Sequence, residues 1–218
     1  MTIIIRFLCL ITGYACDLLA TVVLYGKAKG IDIREHGSGN SGTTNALRVL
    51  GKKAGLVVFI GDFCKSFIPC LIVNLVGRHF FADTYLLYVL YIGFGAVLGH
   101  NFPFYLNFKG GKGVATTAGT IVGLLSGWMI LILLILFVAT VAVSRYVSLG
   151  SILLMIEFTV LYFIFAINGF LCFNPQIASS KTAMIESMIL VVLFSGLAIY
   201  KHKANILRLK NHEENKLF

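Results

Sequence analysis

Seven long apolar runs constrain this chain more than any other feature of its sequence. Of its 218 residues, 58% are hydrophobic and only 12% are charged, whereas soluble domains carry about 25% charged residues. The chain therefore lacks the polar residues to cover a normal water-facing surface, and its apolar content excludes disorder. We predict an all-α, polytopic integral membrane protein, a single transmembrane domain over residues 1–218. The predicted spans lie near residues 3–25, 55–77, 84–101, 113–126, 128–144, 148–170 and 182–201.

The segment 113–144 is the least regular of these apolar stretches. It is long for one tilted span, and Gly123 and Gly127 interrupt it. We interpret it as two helices joined by a tight turn near Ser126, which brings the expected number of spans to about seven.

The net charge of +9 would suggest a nucleic-acid partner in a soluble protein. In a membrane protein, basic residues collect on the cytoplasmic side, so we expect no nucleic acid. With seven spans, one face carries 14 Lys and Arg residues, and the other carries only Arg6, Arg78 and Lys181. This split predicts the N-terminus outside and the C-terminus in the cytoplasm; six spans would remove the asymmetry. Anionic lipid or an anionic substrate is the partner that the remaining positive charge favours.

The first polar segment, REHGSGNSGTTNALRVLG, covers residues 34–51. Its glycines fit the spacing G-x-G-x-x-G, but no β-strand precedes them, so a dinucleotide-binding fold is excluded. Glycines still let backbone N–H groups approach an anion, and a helix that begins at Thr43 would favour negative charge at its N-terminus. Arg48 offers a planar fork suited to phosphate. A flexible polar loop with a helix cap is the weaker alternative.

The second polar segment, LGHNFPFYLNFKGGKGVATTAGT, covers residues 98–120. Lys109 and Lys112 flank two glycines at the start of a helix, which is typical of a phosphate-binding nest. Gly113 stands where a Walker A motif requires Ser or Thr. Lysines that meet anionic headgroups at the membrane edge are the alternative. His100 is either catalytic or a cap of the preceding helix, and taken alone the cap is favoured.

Two further polar segments lie at predicted cytoplasmic helix ends. Arg145 and Ser148, in SRYVSLGS, are spaced i, i+3 and could share one ligand. His202 and Asn205 share a helix face in the same way. Membrane anchoring explains the aromatic and basic residues around them, but it does not explain Asn205.

Charged residues also occur inside the apolar runs. Asp62 and Lys65 are spaced i, i+3 within the second run. Such charges point to function, although a structural ion pair is about equally good an explanation. No group of His, Cys, Asp and Glu has the spacing of metal ligands, so we expect neither a metal nor another cofactor.

Taken together, the polar segments resemble the bacterial membrane glycerol-3-phosphate acyltransferases that use acyl phosphate. GSGNSGTTNALR is similar to the first motif of that family, GHNFPFYLNFKGGKGVAT to the second, and HKANILRL followed by ENKL to the third. RYVSLGS and GDFCKS match further family features. Thr43 replaces the usual Ala, Ser66 the usual Gly and His212 the usual Gly. The matches run in order from about residue 36 to 217, nearly the whole chain.

The resemblance implies transfer of a fatty acyl group from acyl phosphate to the sn-1 hydroxyl of glycerol 3-phosphate, giving lysophosphatidic acid and phosphate. It implies catalytic roles for Ser38, Arg48, Lys112, Ser148, His202 and Asn205. It further implies that substrate phosphate is bound by Gly37, Gly39, Asn40, Asn45, Lys109, Gly110, Gly111 and Arg145. Either His202 or the phosphate of the donor takes the hydroxyl proton.

The family also implies a multi-pass protein of the bacterial cell membrane, with its site facing the cytoplasm and a possible peripheral partner that makes acyl phosphate. Two other classes compete. A transporter of organic phosphates usually has internal repeats and a site near the membrane midplane, whereas the polar segments of this chain share one face. A lipid-binding scaffold leaves the glycine-rich loops and His202 unexplained.

Overall fold

The computed structural model describes residues 2–171, 176 and 178–217. These residues form α-helices and two short 3-10 helices, Ile33–Glu35 and Phe104–Leu106, and they contain no strand, which confirms the all-α class. The α-helices are α1 (Thr2–Cys16), α2 (Thr21–Ala28), α3 (Thr43–Leu50), α4 (Lys52–Phe80), α5 (Tyr85–Asn101), α6 (Val114–Gly123), α7 (Gly127–Ser144), α8 (Val147–Ile167), α9 (Ala178–Lys201) and α10 (Lys203–Lys210).

Six segments of the described chain are long and apolar enough to cross a membrane. The predicted turn near Ser126 is confirmed, because α6 ends at Gly123 and α7 begins at Gly127. With 10 residues, α6 is only about 15 Å long, roughly half the thickness of the hydrocarbon core. The count of seven crossings and the orientation of the termini therefore stay predictions.

The first apolar run differs from its prediction as one helix. The chain leaves α1 after Cys16 and enters α2 at Thr21. Between them lies Asp17, whose side chain is entirely buried. An interruption of this kind is tolerated at membrane depth where protein groups satisfy the freed polar atoms.

The described chain divides into two compact units. Unit 1 comprises Met1–Phe81 and Tyr85–Leu124, and unit 2 comprises Ala82–Thr84 and Leu125–Phe218. The prediction of one domain over residues 1–218 stays a prediction.

In unit 1, α5 is largely enclosed by its neighbours. It packs tightly on α1 because glycines lie at the contact: a Cβ added at Gly95 or Gly99 would collide with the backbone oxygen of Leu10 or Tyr14. Small residues let membrane helices approach closely in this way. The close contact fixes the last turn of α5, from which the second polar segment begins.

The amide of Asn74 fixes the end of α6 against α4. Its Nδ2 donates to the carbonyl oxygens of Gly123 and Leu124, at 3.0 and 3.2 Å. These carbonyls belong to the last turn of a helix, where no intrahelical donor remains. Asn74 is buried, and this pairing satisfies its amide NH2 group, whereas its Oδ1 has no hydrogen-bond partner within the described structure.

Unit 2 contains α7 to α10. The α8 and α9 helices are joined by a 2.6 Å hydrogen bond between the hydroxyls of Thr159 and Ser195. Large apolar side chains of α7, such as Leu134 and Val138, are exposed, as expected where a helix faces lipid. A short break at His202 then separates α9 from the amphipathic α10, which confirms the helix predicted at the C-terminal polar segment.

Candidate active site

The first glycine loop, residues 36–42, leads into α3. Gly37 and Gly39 have φ angles of 61° and 67°, a region that favours glycine. The loop folds around Asn45, whose Oδ1 accepts from the backbone N–H of Ser38 at 2.9 Å. Its Nδ2 donates to the carbonyls of Ile33 and His36. Asn45 is thus a positioning residue of the loop, and the direct phosphate contact predicted for it stays a prediction.

An ion pair precedes this loop. The guanidinium of Arg34 donates to both carboxylate oxygens of Asp32, at 2.9 and 2.6 Å. Asp32 also accepts from the backbone N–H of Arg34 at 3.0 Å. The hydrogen bond from the Arg34 side chain is the main reason that the pKa of Asp32 falls to about 2. Arg34 was not among the predicted site residues, although it stands only three residues before Gly37.

The second glycine loop, residues 109–113, connects α5 to α6. The N–H groups of Gly110 and Gly111 donate to the carbonyls of Asn101 and His100, both at 3.1 Å. Gly113, with a φ of 75°, then turns the chain into α6. The glycines therefore allow the loop to lie directly on the end of α5.

The observed role of the glycine N–H groups in these loops differs from the predicted contact with an anion. In the first loop, the N–H of Gly39 likewise donates to a carbonyl, that of His36, at 3.1 Å. Three of the four glycine N–H groups predicted to face an anion are therefore bonded to the protein itself. Their visible role is to fold the two loops, and a direct contact with phosphate stays a prediction.

Both loops border one cleft of about 360 Å³ in unit 1. Its lining includes four predicted site residues, and it adds four that were not predicted. The predicted ones are Gly39, Asn40, Lys109 and Gly110, and the others are Asp32, Arg34, Glu35 and Ser41. Ser38 and Arg48 are exposed and Lys112 is half-buried in the same unit, but all three lie outside this lining.

In unit 2, His202 lies at the junction of α9 and α10 and is 2% exposed. Its Nδ1 lies 2.7 Å from the carbonyl oxygen of Ala198. Since a carbonyl only accepts, this contact assigns the proton of the neutral ring to Nδ1. The lone pair then belongs to Nε2, as general-base chemistry requires.

Asn205 shares the buried face of α10 with His202, as the spacing predicted. Its Nδ2 donates to Glu214 at 2.9 Å. The Nε of Arg208 donates to the other oxygen of that carboxylate at 2.8 Å. Burial opposes ionisation of Glu214, but the hydrogen bonds from Asn205 and Arg208 outweigh it and lower the pKa. Sequence reasoning gave Glu214 no role, although it lies in the ENKL segment quoted for the third motif.

The chain end of unit 2 returns to the turn between α7 and α8. The backbone N–H of Leu217 donates to the carbonyl of Arg145 at 2.8 Å. Arg145 itself has a φ of 63° and an exposed side chain. Ser148, in the first turn of α8, is buried, and its hydroxyl makes no hydrogen bond within the described structure. Unit 2 thus gathers the two predicted segments at residues 144–151 and 202–216.

A buried ionic cluster lies beneath the loops of unit 1. The ammonium of Lys65 is 3.8 Å from Asp62, which confirms the predicted ion pair, and 3.7 Å from Asp17. The Nδ1 of His100 is 3.5 Å from Asp17. Oxygen or nitrogen atoms of Asp17, Asp62 and His100 lie within 4.8 Å of one another. Spacing along the chain gave no sign of this group, because its members come from three separate segments.

Comparison with known proteins identifies the family. The family model described as glycerol-3-phosphate acyltransferase matches residues 7–212. A glycerol-3-phosphate acyltransferase of Chlorobium phaeobacteroides is 38% identical, with 94% of this chain and 93% of the relative aligned. One of Exiguobacterium sibiricum is 39% identical, with 95% and 91% aligned.

Two crystal structures of PlsY (YgiH), an integral membrane glycerol 3-phosphate acyltransferase, are similar to this chain. The glycerol 3-phosphate form has a TM-score of 0.79 at 32% identity, and the lysophosphatidic acid form has 0.77 at 31%. Each similarity covers 97% of this chain and 94% of the other. The chain therefore belongs to the glycerol-3-phosphate acyltransferase family, and it is a multi-pass membrane acyltransferase of the PlsY type.

Proposed function

We propose that this protein transfers a fatty acyl group from acyl phosphate to the sn-1 hydroxyl of glycerol 3-phosphate. The products are lysophosphatidic acid and inorganic phosphate. This reaction is the first step of phospholipid synthesis. One observation carries the proposal: the two similar PlsY structures are a glycerol 3-phosphate form and a lysophosphatidic acid form. These two molecules differ by one acyl group, so they are the acceptor and the product of a single acylation.

The reaction needs few catalytic groups because acyl phosphate is a mixed anhydride. The sn-1 oxygen attacks the acyl carbonyl carbon, the bond from that carbon to the phosphate oxygen breaks, and phosphate leaves with the electron pair. The hydroxyl proton passes either to Nε2 of His202 or to an oxygen of the donor phosphate. The proton assigned to Nδ1 by the Ala198 contact supports the first route.

In unit 1, we assign phosphate binding to Ser38, Arg48 and Lys112, with support from Lys109, Asn40 and the two glycine loops. The cleft supports the part assigned to Lys109, Asn40 and the loops, which line it, because cations and folded glycine loops form anion sites. The assignment of Ser38, Arg48 and Lys112 rests on the family motifs that contain them. Direct contacts from Gly37, Gly39, Asn45, Gly110 and Gly111 belong to the same proposal.

In unit 2, we assign His202 and Asn205 to glycerol 3-phosphate and Ser148 and Arg145 to substrate phosphate. The bond from Asn205 to Glu214 holds the amide in one orientation, which suits a group that must present its other atoms to a substrate. Arg145 offers its exposed guanidinium as a phosphate ligand.

The donor assignment rests on the sequence. Acyltransferases that use soluble thioesters carry H-x-x-x-x-D, and none of the five histidines has an Asp five positions later. The test supplies purified protein in detergent with glycerol 3-phosphate and either palmitoyl phosphate or palmitoyl-CoA. We expect lysophosphatidic acid from palmitoyl phosphate alone. Comparable rates with palmitoyl-CoA would refute the donor, and no product from either donor would refute the function.

We place the protein in the bacterial cell membrane with its site facing the cytoplasm. The basic residues that seven spans assign to one face support this orientation. They also suit anionic lipid and a peripheral enzyme that delivers acyl phosphate. A cysteine placed beside Arg48 or Lys210 should be protected from impermeant thiol reagents in intact cells. Labelling of both positions from outside would overturn the orientation.

A further inference from the structure

The ionic cluster of Asp17, Asp62, Lys65 and His100 has no part in the proposed reaction. Asp17 is 0% exposed, Asp62 1% and His100 6%. Lys65 is half-buried beside them. Three buried ionisable groups within one helical unit are costly unless they pair with charges, and in membrane segments such groups usually have a function.

Each carboxylate of the cluster is fixed by a hydroxyl from another element. Thr116 of α6 donates to Oδ2 of Asp17 at 2.8 Å. Thr21 at the start of α2 donates to Oδ1 of Asp62 at 2.7 Å, and it accepts from Lys65 at 2.7 Å. The cluster thus joins the break between α1 and α2 to α4 and α6, and Asp17 has little freedom to move.

His100 connects this fixed cluster to both glycine loops. Its Nδ1 lies 3.5 Å from Oδ2 of Asp17, an ion-pair distance rather than a hydrogen bond, and its carbonyl accepts from the N–H of Gly111. The Nε2 edge of the ring faces Gly111 so closely that a Cβ at that position would collide with it. The same Cβ would lie 2.9 Å from the carbonyl oxygen of Ser41. The imidazole therefore lies where the first and second loops meet.

We infer that Asp17 and His100 form a positioning pair, in which Asp17 holds the imidazole of His100 beneath the junction of the two glycine loops. The pair keeps the loops in the arrangement that binds substrate phosphate. This inference rests on the proposed function. Neither residue touches substrate; both act through Gly111 and Ser41.

The chemistry of the pair explains why these residue types are present. A carboxylate beside Nδ1 orients an imidazole by favouring a proton on that nitrogen. Two carboxylates and one ammonium also leave the cluster one positive charge short of balance, and an imidazolium would supply it. An aliphatic side chain at residue 100 would provide neither the orientation nor the charge, and an amide would not provide the charge.

The decisive variant is Asp17→Asn, with Ser66→Ala as its control. The control removes a buried hydrogen bond of 2.8 Å to Thr120, between the same helices α4 and α6, away from the loops. We expect Asp17→Asn to raise KM for at least one of the two phosphate substrates, glycerol 3-phosphate or acyl phosphate, about tenfold, with a much smaller change in kcat. Ser66→Ala should lower the thermal midpoint and leave KM unchanged. Equal behaviour of the two variants would overturn the inference.

A double variant tests whether Asp17 acts through the ring. His100→Gln should raise KM by a similar factor, and Asp17→Asn combined with His100→Gln should be no worse than His100→Gln alone. Effects that multiply would mean that Asp17 acts elsewhere, and the pair would be wrong. If Asp17→Asn does not insert in the membrane, His100→Gln with an unchanged KM overturns the inference by itself.

Hydrogen–deuterium exchange separates this inference from the proposed function. Wild-type protein that makes no lysophosphatidic acid would refute the function but not the positioning. In that case, Asp17→Asn should still increase deuterium uptake in residues 109–113, where Gly110 and Gly111 donate to α5, while Ser66→Ala should not. Unchanged uptake in Asp17→Asn would refute the positioning, whether or not the wild type is active.

Discussion

The glycine loops of unit 1 and the C-terminal segment of unit 2 are held in place by different means. The loops are fixed by backbone hydrogen bonds to α5 and by the buried amide of Asn45. The C-terminal segment depends on one carboxylate, Glu214, which accepts from Asn205 and Arg208. We therefore expect steric change to affect the loops most, and loss of the Glu214 carboxylate to affect the C-terminal segment most.

Adding one methyl group to the second loop should have the largest effect. In Gly111→Ala the new Cβ would collide with the ring of His100 and lie 2.9 Å from the oxygen of Ser41. Overpacking costs typically 1–3 kcal/mol, and we expect the upper part of that range because backbone blocks one side. Steady-state kinetics should show kcat/KM lowered by about a hundredfold.

The matched control for this variant is Gly196→Ala in α9. No heavy atom lies within 4 Å of a Cβ added there, so activity and insertion should be unchanged. If Gly111→Ala were as active as Gly196→Ala, the loops would not be sterically constrained. The stated difference between the loops of unit 1 and the C-terminal segment of unit 2 would then be wrong.

Variants of Arg48 test whether its side chain binds substrate phosphate in unit 1. Hydrogen bonds to charged groups contribute roughly 1.5–3 kcal/mol, so Arg48→Ala should lower kcat/KM by about one to two orders of magnitude. Arg48→Lys should remain impaired, because an ammonium lacks the bidentate fork. An Arg48→Lys protein that inserts normally and keeps full activity would refute the bidentate phosphate role, and the first loop would then bind its anion through backbone N–H groups and Ser38.

The sequence predicted well what depends on short-range pattern. Apolar runs located the long helices, the glycines near Ser126 located the break before α7, and i, i+3 spacing found Asp62 with Lys65. Pattern also placed the start of α3 at Thr43, as observed. These features follow from neighbours along the chain, so no knowledge of the fold was needed.

Long-range pairing was not predictable in this way. Asp17 lies inside an apolar run, and nothing near it in the sequence indicates that His100 and Thr116 are its partners. Glu214 was missed because its role depends on the chain turning back toward α10 after Lys210. Asn45 has the residue type of an anion ligand, yet the fold directs both ends of its amide to the loop backbone.

The C-terminal segment should respond to Glu214→Gln, with Glu213→Gln as control because Glu213 is exposed. The glutamine would place an NH2 group against Arg208 and remove a charged acceptor. Since Arg208 is 34% exposed, solvent weakens this pair, and we expect a loss of about 1–2 kcal/mol. The thermal midpoint in detergent should fall by about 2–8 °C. Equal midpoints for the two variants would contradict the role of Glu214.

Acid should act on the same contact. The folded-state pKa of Glu214 lies below its ordinary value of 4.5, so the carboxylate stabilises the segment fully above that pH. This contribution is lost as the pH falls through the lowered pKa. Protection of residues 212–217, measured relative to the intrinsic exchange rate at each pH, should therefore fall on acidification in the wild type, and Glu214→Gln should show low protection at every pH. Protection that is independent of pH in the wild type would refute this dependence.

The smallest expected effect concerns the charge of the cleft in unit 1. Its lining contains Asp32 and Glu35 against Arg34 and Lys109, a formal balance of charge. Asp32→Asn removes one negative charge and releases the guanidinium of Arg34 from its bidentate partner. Glu35→Gln removes a charge without releasing Arg34, so it is the matched control.

Because exposed ion pairs contribute little, Asp32→Asn should lower KM for the substrate whose phosphate binds in this cleft by no more than about fivefold. The gain should fade as salt screens the cleft. Glu35→Gln should give a smaller decrease with the same salt dependence. If Asp32→Asn instead raises KM, the ion pair is needed to shape the first glycine loop. The first glycine loop would then depend on a charged contact, as the C-terminal segment does. Only the second glycine loop would still differ from that segment, through its backbone hydrogen bonds to α5.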